Sequence, residues 1–168
     1  LSHSCSLLCN RVTSNDLGIS ISGSNGCTLD GNIASENKRD GIALMQLQKG
    51  DVLNNIAECN SQGIYVQSGN KLRIKGNILS NNSRYGLRMS NSFSSNVSEN
   101  RFTDNGISGV NLVDSSDNLF YHNIFAHNTF QNAADNGKNQ WDAGPKIGGN
   151  YWSDFGVTGN PSNKPLQI

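Results

Sequence analysis

The sequence predicts an all-β chain wound as a parallel β-helix of about six coils, each 22–23 residues long. The first observation is a glycine period. Gly18, Gly41, Gly63, Gly86 and Gly109 fall 23, 22, 23 and 23 residues apart, and each opens a phrase of the form Gly-apolar-x-apolar. The second is a pair of asparagine columns in the same register: Asn10, Asn32, Asn55, Asn77, Asn100 and Asn123, then Asn15, Asn37, Asn60, Asn82, Asn105 and Asn128. The third is the apolar pattern between them. A unit this short cannot bury its own apolar face and must stack on its neighbours.

Each coil supplies three strands in order. The first centres on Leu7, Leu29, Val52, Ile74, Val97 and Phe120, three residues before the first asparagine. The second centres on Val12, Ala34, Ala57, Leu79, Phe102 and Phe125, two residues after it. The glycine phrase is the third, with inward residues from Ile19 to Val110 and from Ile21 to Leu112. Alternation over so few residues, bounded by turn formers, reads as strand, and no apolar period of 3.6 persists. Coils then stack at about 4.8 Å. The asparagines are expected at the corners, where their side chains tolerate left-handed backbone and form ladders from coil to coil.

The expected domain is single: coils over 1–128, a cap over 129–156 and an irregular tail over 157–168 carrying Pro161 and Pro165. The cap holds both tryptophans, Trp141 and Trp152. Aromatic rings there would close the open end of the core while their polar tips stay wet. A sugar-stacking platform is the alternative reading. The repeat is already in register at Leu7, so further coils or a capping helix are expected before Leu1.

Thirteen basic and thirteen acidic residues cancel, which argues against a nucleic-acid partner. No apolar run reaches a membrane span. The polar, weakly charged composition suits an extracellular, cell-surface or periplasmic protein. Cys5 and Cys27 occupy one slot in adjacent coils, within disulfide reach; a bond and two packed thiols both fit. Cys9 and Cys59 fall in different columns and should not meet.

One outward patch stands out. Tyr65, Tyr85, Arg88 and Asn111 should gather over three coils of the glycine-phrase strands, a candidate carbohydrate-binding site of rings and amides. Ordinary strand preference is the alternative. No catalytic residues emerge. Asp40 and Asp114 are the acids of that face, about three coils apart and too far for a hydrolytic pair. A second feature is the column Ile33, Ile56 and Ile78, expected to form an exposed interaction stripe unless the corner turns it inward. No cofactor and no metal site are expected. His3, His122, His127, Met45 and Met89 do not cluster as copper ligands.

The asparagine coils, followed by Asn139-Gln140-Trp141-Asp142 and Gly149-Asn150-Tyr151-Trp152-Ser153-Asp154, resemble the NosD-type β-helix family. The last segment looks most like archaeal surface proteins of that family. The resemblance, with the usual crossover rule, implies a right-handed helix. It implies a non-enzymatic surface module for display, adhesion or glycan contact, with surface glycans or other cell-surface proteins as partners. It leaves two alternatives: a fragment of a polysaccharide lyase- or glycosidase-like enzyme, and a periplasmic copper-enzyme maturation protein.

Overall fold

The computed structural model describes residues 4–154. The expected tail therefore lies outside the described residues. Six coils each contribute three strands. They are β1 (Ser6–Leu8), β2 (Arg11–Thr13) and β3 (Ile19–Ser22); β4 (Thr28–Asp30), β5 (Ile33–Ser35) and β6 (Asp40–Met45); β7 (Asp51–Leu53), β8 (Ile56–Glu58) and β9 (Gln62–Gln67). Then follow β10 (Arg73–Lys75), β11 (Ile78–Ser80) and β12 (Tyr85–Ser90); β13 (Asn96–Ser98), β14 (Arg101–Thr103) and β15 (Ser108–Val113); β16 (Leu119–Tyr121), β17 (Ile124–Ala126) and β18 (Gln131–Asp135). A short β19 (Tyr151–Trp152) begins another turn.

The first, second and third strands of successive coils stack into three parallel sheets, β1-β4-β7-β10-β13-β16, β2-β5-β8-β11-β14-β17-β19 and β3-β6-β9-β12-β15-β18. The fold is a parallel β-helix, as the period requires. Register is strict: Leu29 pairs with Val52, Leu79 with Phe102, and Leu87 with Ile64 and Val110. From the second coil on, the predicted apolar columns form the buried core, which widens from Ala34 and Ala57 to Phe102 and Phe125.

The asparagines form the predicted ladders, with one correction to their backbone. Asn77 Oδ1 accepts from the backbone N–H and side-chain amide of Asn55 at 2.8 and 3.0 Å, while its own amide donates to Val52 O and Asn100 Oδ1 at 2.8 and 2.9 Å. At these two corners the left-handed non-glycine residues are those just before the ladder positions: Cys9, Asn54, Glu99 and His122 before the first column, Ser14, Glu36, Cys59, Asn81, Asp104 and His127 before the second. Their N–H groups point along the axis and donate to the next coil, as Asn54 does to Lys75 O at 3.0 Å. The side chain at that position is free to be almost anything, because backbone bonding holds it there. The rung itself must be asparagine, because it has to give and accept along the stack.

The glycine column has a different cause. A Cβ on Gly63 would lie 2.6 Å from Gly86 O and 2.9 Å from Asn82 Nδ2. The second ladder presses against the third sheet at this point, and a side chain would push the coils apart.

Past Asn128 the repeat fades from the sequence, yet the coil continues. β18 pairs in register with β15, with Asn132 in place of the glycine. Asp135 takes the inward place of Leu112. Its carboxylate accepts from Gly137 N, Asn139 Nδ2 and Trp141 Nε1 at 2.8, 2.8 and 3.1 Å. Asn150 is a further rung of the first ladder, accepting from Asn123. Trp152 pairs with Phe125 in the second sheet. Both tryptophans are buried and stack on the last core rings, Trp141 on Phe120 at 4.4 Å and Trp152 on Phe125 at 4.3 Å. The expected wet tips are found only at exposed Tyr151; the Trp152 N–H is buried with no partner among the described residues.

Cys5 and Cys27 are joined as a disulfide, their Cα atoms 4.4 Å apart. This resolves the two readings of that slot in favour of the bond. Cys9 and Cys59 are free and exposed.

Candidate functional site

The outer face of the third sheet carries the predicted patch. Strand alternation turns Ile64, Val66, Leu87 and Met89 inward and leaves Tyr65 and Arg88 on the outside. Because the register repeats every coil, Tyr65, Arg88 and Asn111 are cross-strand neighbours on β9, β12 and β15. Asp40, Gln62 and Tyr85 form a second, half-buried column on β6, β9 and β12 just before the glycines, and Ser108, next in register on β15, is buried. All four predicted residues therefore come together.

The Arg88 guanidinium lies between two rings, its Cζ 5.8 Å from the Tyr65 centroid and 5.6 Å from that of Tyr85. Arg84 also lies over the Tyr85 ring, its Cζ 5.3 Å from the centroid. Such contacts fix a guanidinium plane without consuming its N–H donors. Tyr65 donates its hydroxyl to Gln67 Oε1 at 3.3 Å. Asp40 is half-buried and accepts from Gln62 Nε2 at 2.7 Å. Burial pushes the Asp40 carboxyl above its ordinary value, against the opposing pull of the Gln62 bond and of Arg39, Arg88 and Arg84.

Three buried polar atoms of this face have no partner among the described residues: Arg88 Nε, Gln62 Oε1 and Ser108 Oγ. Buried polar groups are normally bonded, and leaving one unmade costs about 1–3 kcal/mol. Three of them gather here beside two aromatic rings. Arg84 escapes a reading by spacing because it sits at the corner, where register does not fix direction. The charge environment of Asp40 escapes it as well.

A carboxylate pair does not assemble. Asp114 lies beyond the end of β15, bonded to Asn136, three strands across the sheet from Asp40, which opens β6, and so more than about 14 Å away at the inter-strand spacing. The isoleucine column is outward on the second sheet, with Ile33 and Ile56 half-buried and Ile78 40% exposed. Arg101, Ile124 and Tyr151 extend it.

Over residues 1–157 the chain matches the family described as "Periplasmic copper-binding protein (NosD)". It belongs to the NosD family. No curated protein matches the sequence. Among solved structures, this NosD-family chain is similar to the A-module of the mannuronan C-5 epimerase AlgE6 of Azotobacter vinelandii. The two share 22% identity with a TM-score of 0.75, over 77% of this chain and 38% of that one. It is likewise similar to the periplasmic alginate epimerase AlgG, at 19% identity and a TM-score of 0.74, over 80% of this chain and 39% of that one. The chain spans well under half the length of these enzymes, and the likeness is one of fold.

Copper, which the family description names, does not fit the residues present. Among the described residues no three His, Cys, Asp or Glu side chains come together as a metal site. Met89 is sealed in the core. His122 Nε2 lies 2.6 Å from Ile147 O, and His127 Nδ1 lies 3.8 Å from Asp104 Oδ1 at another corner. Copper sites draw soft ligands to one point, and these are scattered. Among the described residues no helix is long and apolar enough to cross a membrane.

Proposed function

We propose that this NosD-family chain is a non-enzymatic, carbohydrate-contacting β-helix module of the periplasmic or extracellular side. It would serve in display, adhesion or glycan contact at the cell surface, and its contact surface is the outer face of the third sheet. Tyr65 and Tyr85 would stack on sugar rings, and Arg88, Asn111 and Gln62 would bond the ring substituents. The observation that carries this reading is the grouping of unpartnered Arg88 Nε, Gln62 Oε1 and Ser108 Oγ around the two tyrosines. The fold likeness to carbohydrate-active β-helices agrees with it. The lone half-buried Asp40, with no second acid at working distance, favours binding over hydrolysis.

Glycan-array binding of the wild type and of a Tyr65→Ala/Arg88→Ala double variant tests the reading. Saturable binding that the double variant loses is the expected result. Absence of binding to every glycan, or binding indifferent to both substitutions, would overturn it and turn attention to the Ile33–Ile56–Ile78 stripe.

A further inference from the structure

We infer that the sugar taken by this face is an acidic one, a uronic acid unit, and that Arg88 grips its carboxylate. The inference rests on the glycan-contact reading and narrows it to one chemical class.

Three cations elsewhere on the rod are paired by carboxylates of their own chain. Arg39 pairs with Asp16, Arg73 with Asp51 and Lys75 with Glu99. Neither Arg84 nor Arg88 has a carboxylate in ion-pair contact among the described residues. The cross-strand neighbours of Arg88 are Tyr65 and Asn111, both uncharged. Asp40, the acid on this face, is tied to Gln62.

The geometry of the vacant partner can be read from Arg73. There Asp51, one coil away, takes Nε and Nη2 side by side, with both bonds at 2.9 Å. Arg88 has the same pair of donors, and its Nε is buried with no partner among the described residues. A planar carboxylate satisfies Nε and the adjacent Nη together, whereas a lone hydroxyl satisfies one of them. The two tyrosine rings hold the guanidinium in place, so little freedom is lost on binding. Asp40 sets the polarity of the ligand. Its charge repels a carboxylate and accepts hydroxyls, so the acid group belongs at Arg88 and the ring hydroxyls toward Gln62 and Asp40.

The test is calorimetric titration with hexameric oligogalacturonate and oligomannuronate, and with the methyl ester of each. The ester keeps the ring and loses the charge. The proteins are the wild type, Arg88→Gln, Tyr65→Ala and Arg101→Gln, the last an exposed arginine of the second sheet. Thermal unfolding verifies that each variant is folded.

The expected result is binding of an acid form about tenfold or more tighter than its ester. Arg88→Gln should bring acid and ester to the same affinity, and Arg101→Gln should retain the difference. Equal binding of acid and ester, lost in Tyr65→Ala, would overturn the acidic-sugar inference and keep the glycan reading. Acid preference that survives Arg88→Gln would also overturn it, by placing the carboxylate elsewhere. Binding of none of the four would overturn the acidic-sugar inference and leave the glycan reading to be decided by the array.

Discussion

The indole of Trp152 lies over the ring of Phe125, centroids 4.3 Å apart and planes within 9° of parallel. Phe125 in turn stacks on Phe102 at 4.9 Å, so one aromatic column continues the core into the last turn. Trp152→Ala would open the end of that column and should cost about 3–5 kcal/mol. Trp152→Phe keeps the stack and removes a buried N–H that bonds nothing among the described residues. Lost packing and relieved desolvation then oppose, and the net change should stay within about 1–2 kcal/mol. Urea melts of the two variants check this; equal losses would mean the ring contact is not what closes the rod.

Asn77→Ala should be among the most damaging polar substitutions. It strands the Asn55 N–H, removes the side-chain donor to Val52 O, and takes one of two bonds each from the Asn55 amide and Asn100 Oδ1, all in the buried interior. We expect a loss of about 3–5 kcal/mol. Asn10→Ala removes the exposed first rung and should cost about 1 kcal/mol. Chemical denaturation compares the pair, and similar losses would contradict a ladder whose strength comes from burial.

Asp40 gives the fold a pH signature of definite sign. Burial raises its folded-state pKa, so the folded chain holds the proton more tightly than the unfolded one. Its favourable contribution is complete below the unfolded carboxyl value and is lost as pH rises through the folded value. Wild type should therefore lose stability across that acidic window relative to Asp40→Asn. Denaturant melts at successive pH values measure the difference, and parallel curves would refute the assignment.

Cys59 is exposed but reluctant. Burial of its thiol, then Glu58 and Glu36, push its pKa up. The thiolate is the reactive form, so alkylation by iodoacetamide should be slow at neutral pH and climb in alkaline solution. Glu36→Gln combined with Glu58→Gln should speed it. Mass-spectrometric labelling rates decide, and an unchanged rate in the double variant would remove the charge effect.

Much of this molecule is legible in spacing alone. Tyr65 and Arg88 are 23 residues apart, one coil, and so become neighbours. The ladder from Asn32 to Asn123 follows for the same reason. The left-handed positions do not show, because Cys9, Glu36, Asp104 and His127 share no side-chain chemistry; a backbone bond selects their conformation. β18 hides because Asn132 and Ala133 replace the glycine and the bulky residue, although counting one coil from Ser108 arrives at Gln131. The Trp152 strand hides inside an aromatic segment whose Asn-x-Trp spacing nonetheless matches the Asn-x-Phe of the preceding coil. The partnerless atoms of Arg88, Gln62 and Ser108 are invisible to any pattern, since burial of single atoms depends on how neighbouring side chains lie.

The unbroken run of rungs from Asn10 to Asn150 makes the rod a gauge with a fixed graduation. Each coil bonds only to the one before and the one after. Duplicating a coil in register would lengthen the rod by about 4.8 Å and add one residue to every outward column, leaving the existing coils as they were. The length of the third sheet's outer face can thus be adjusted by whole steps without redesigning the interior.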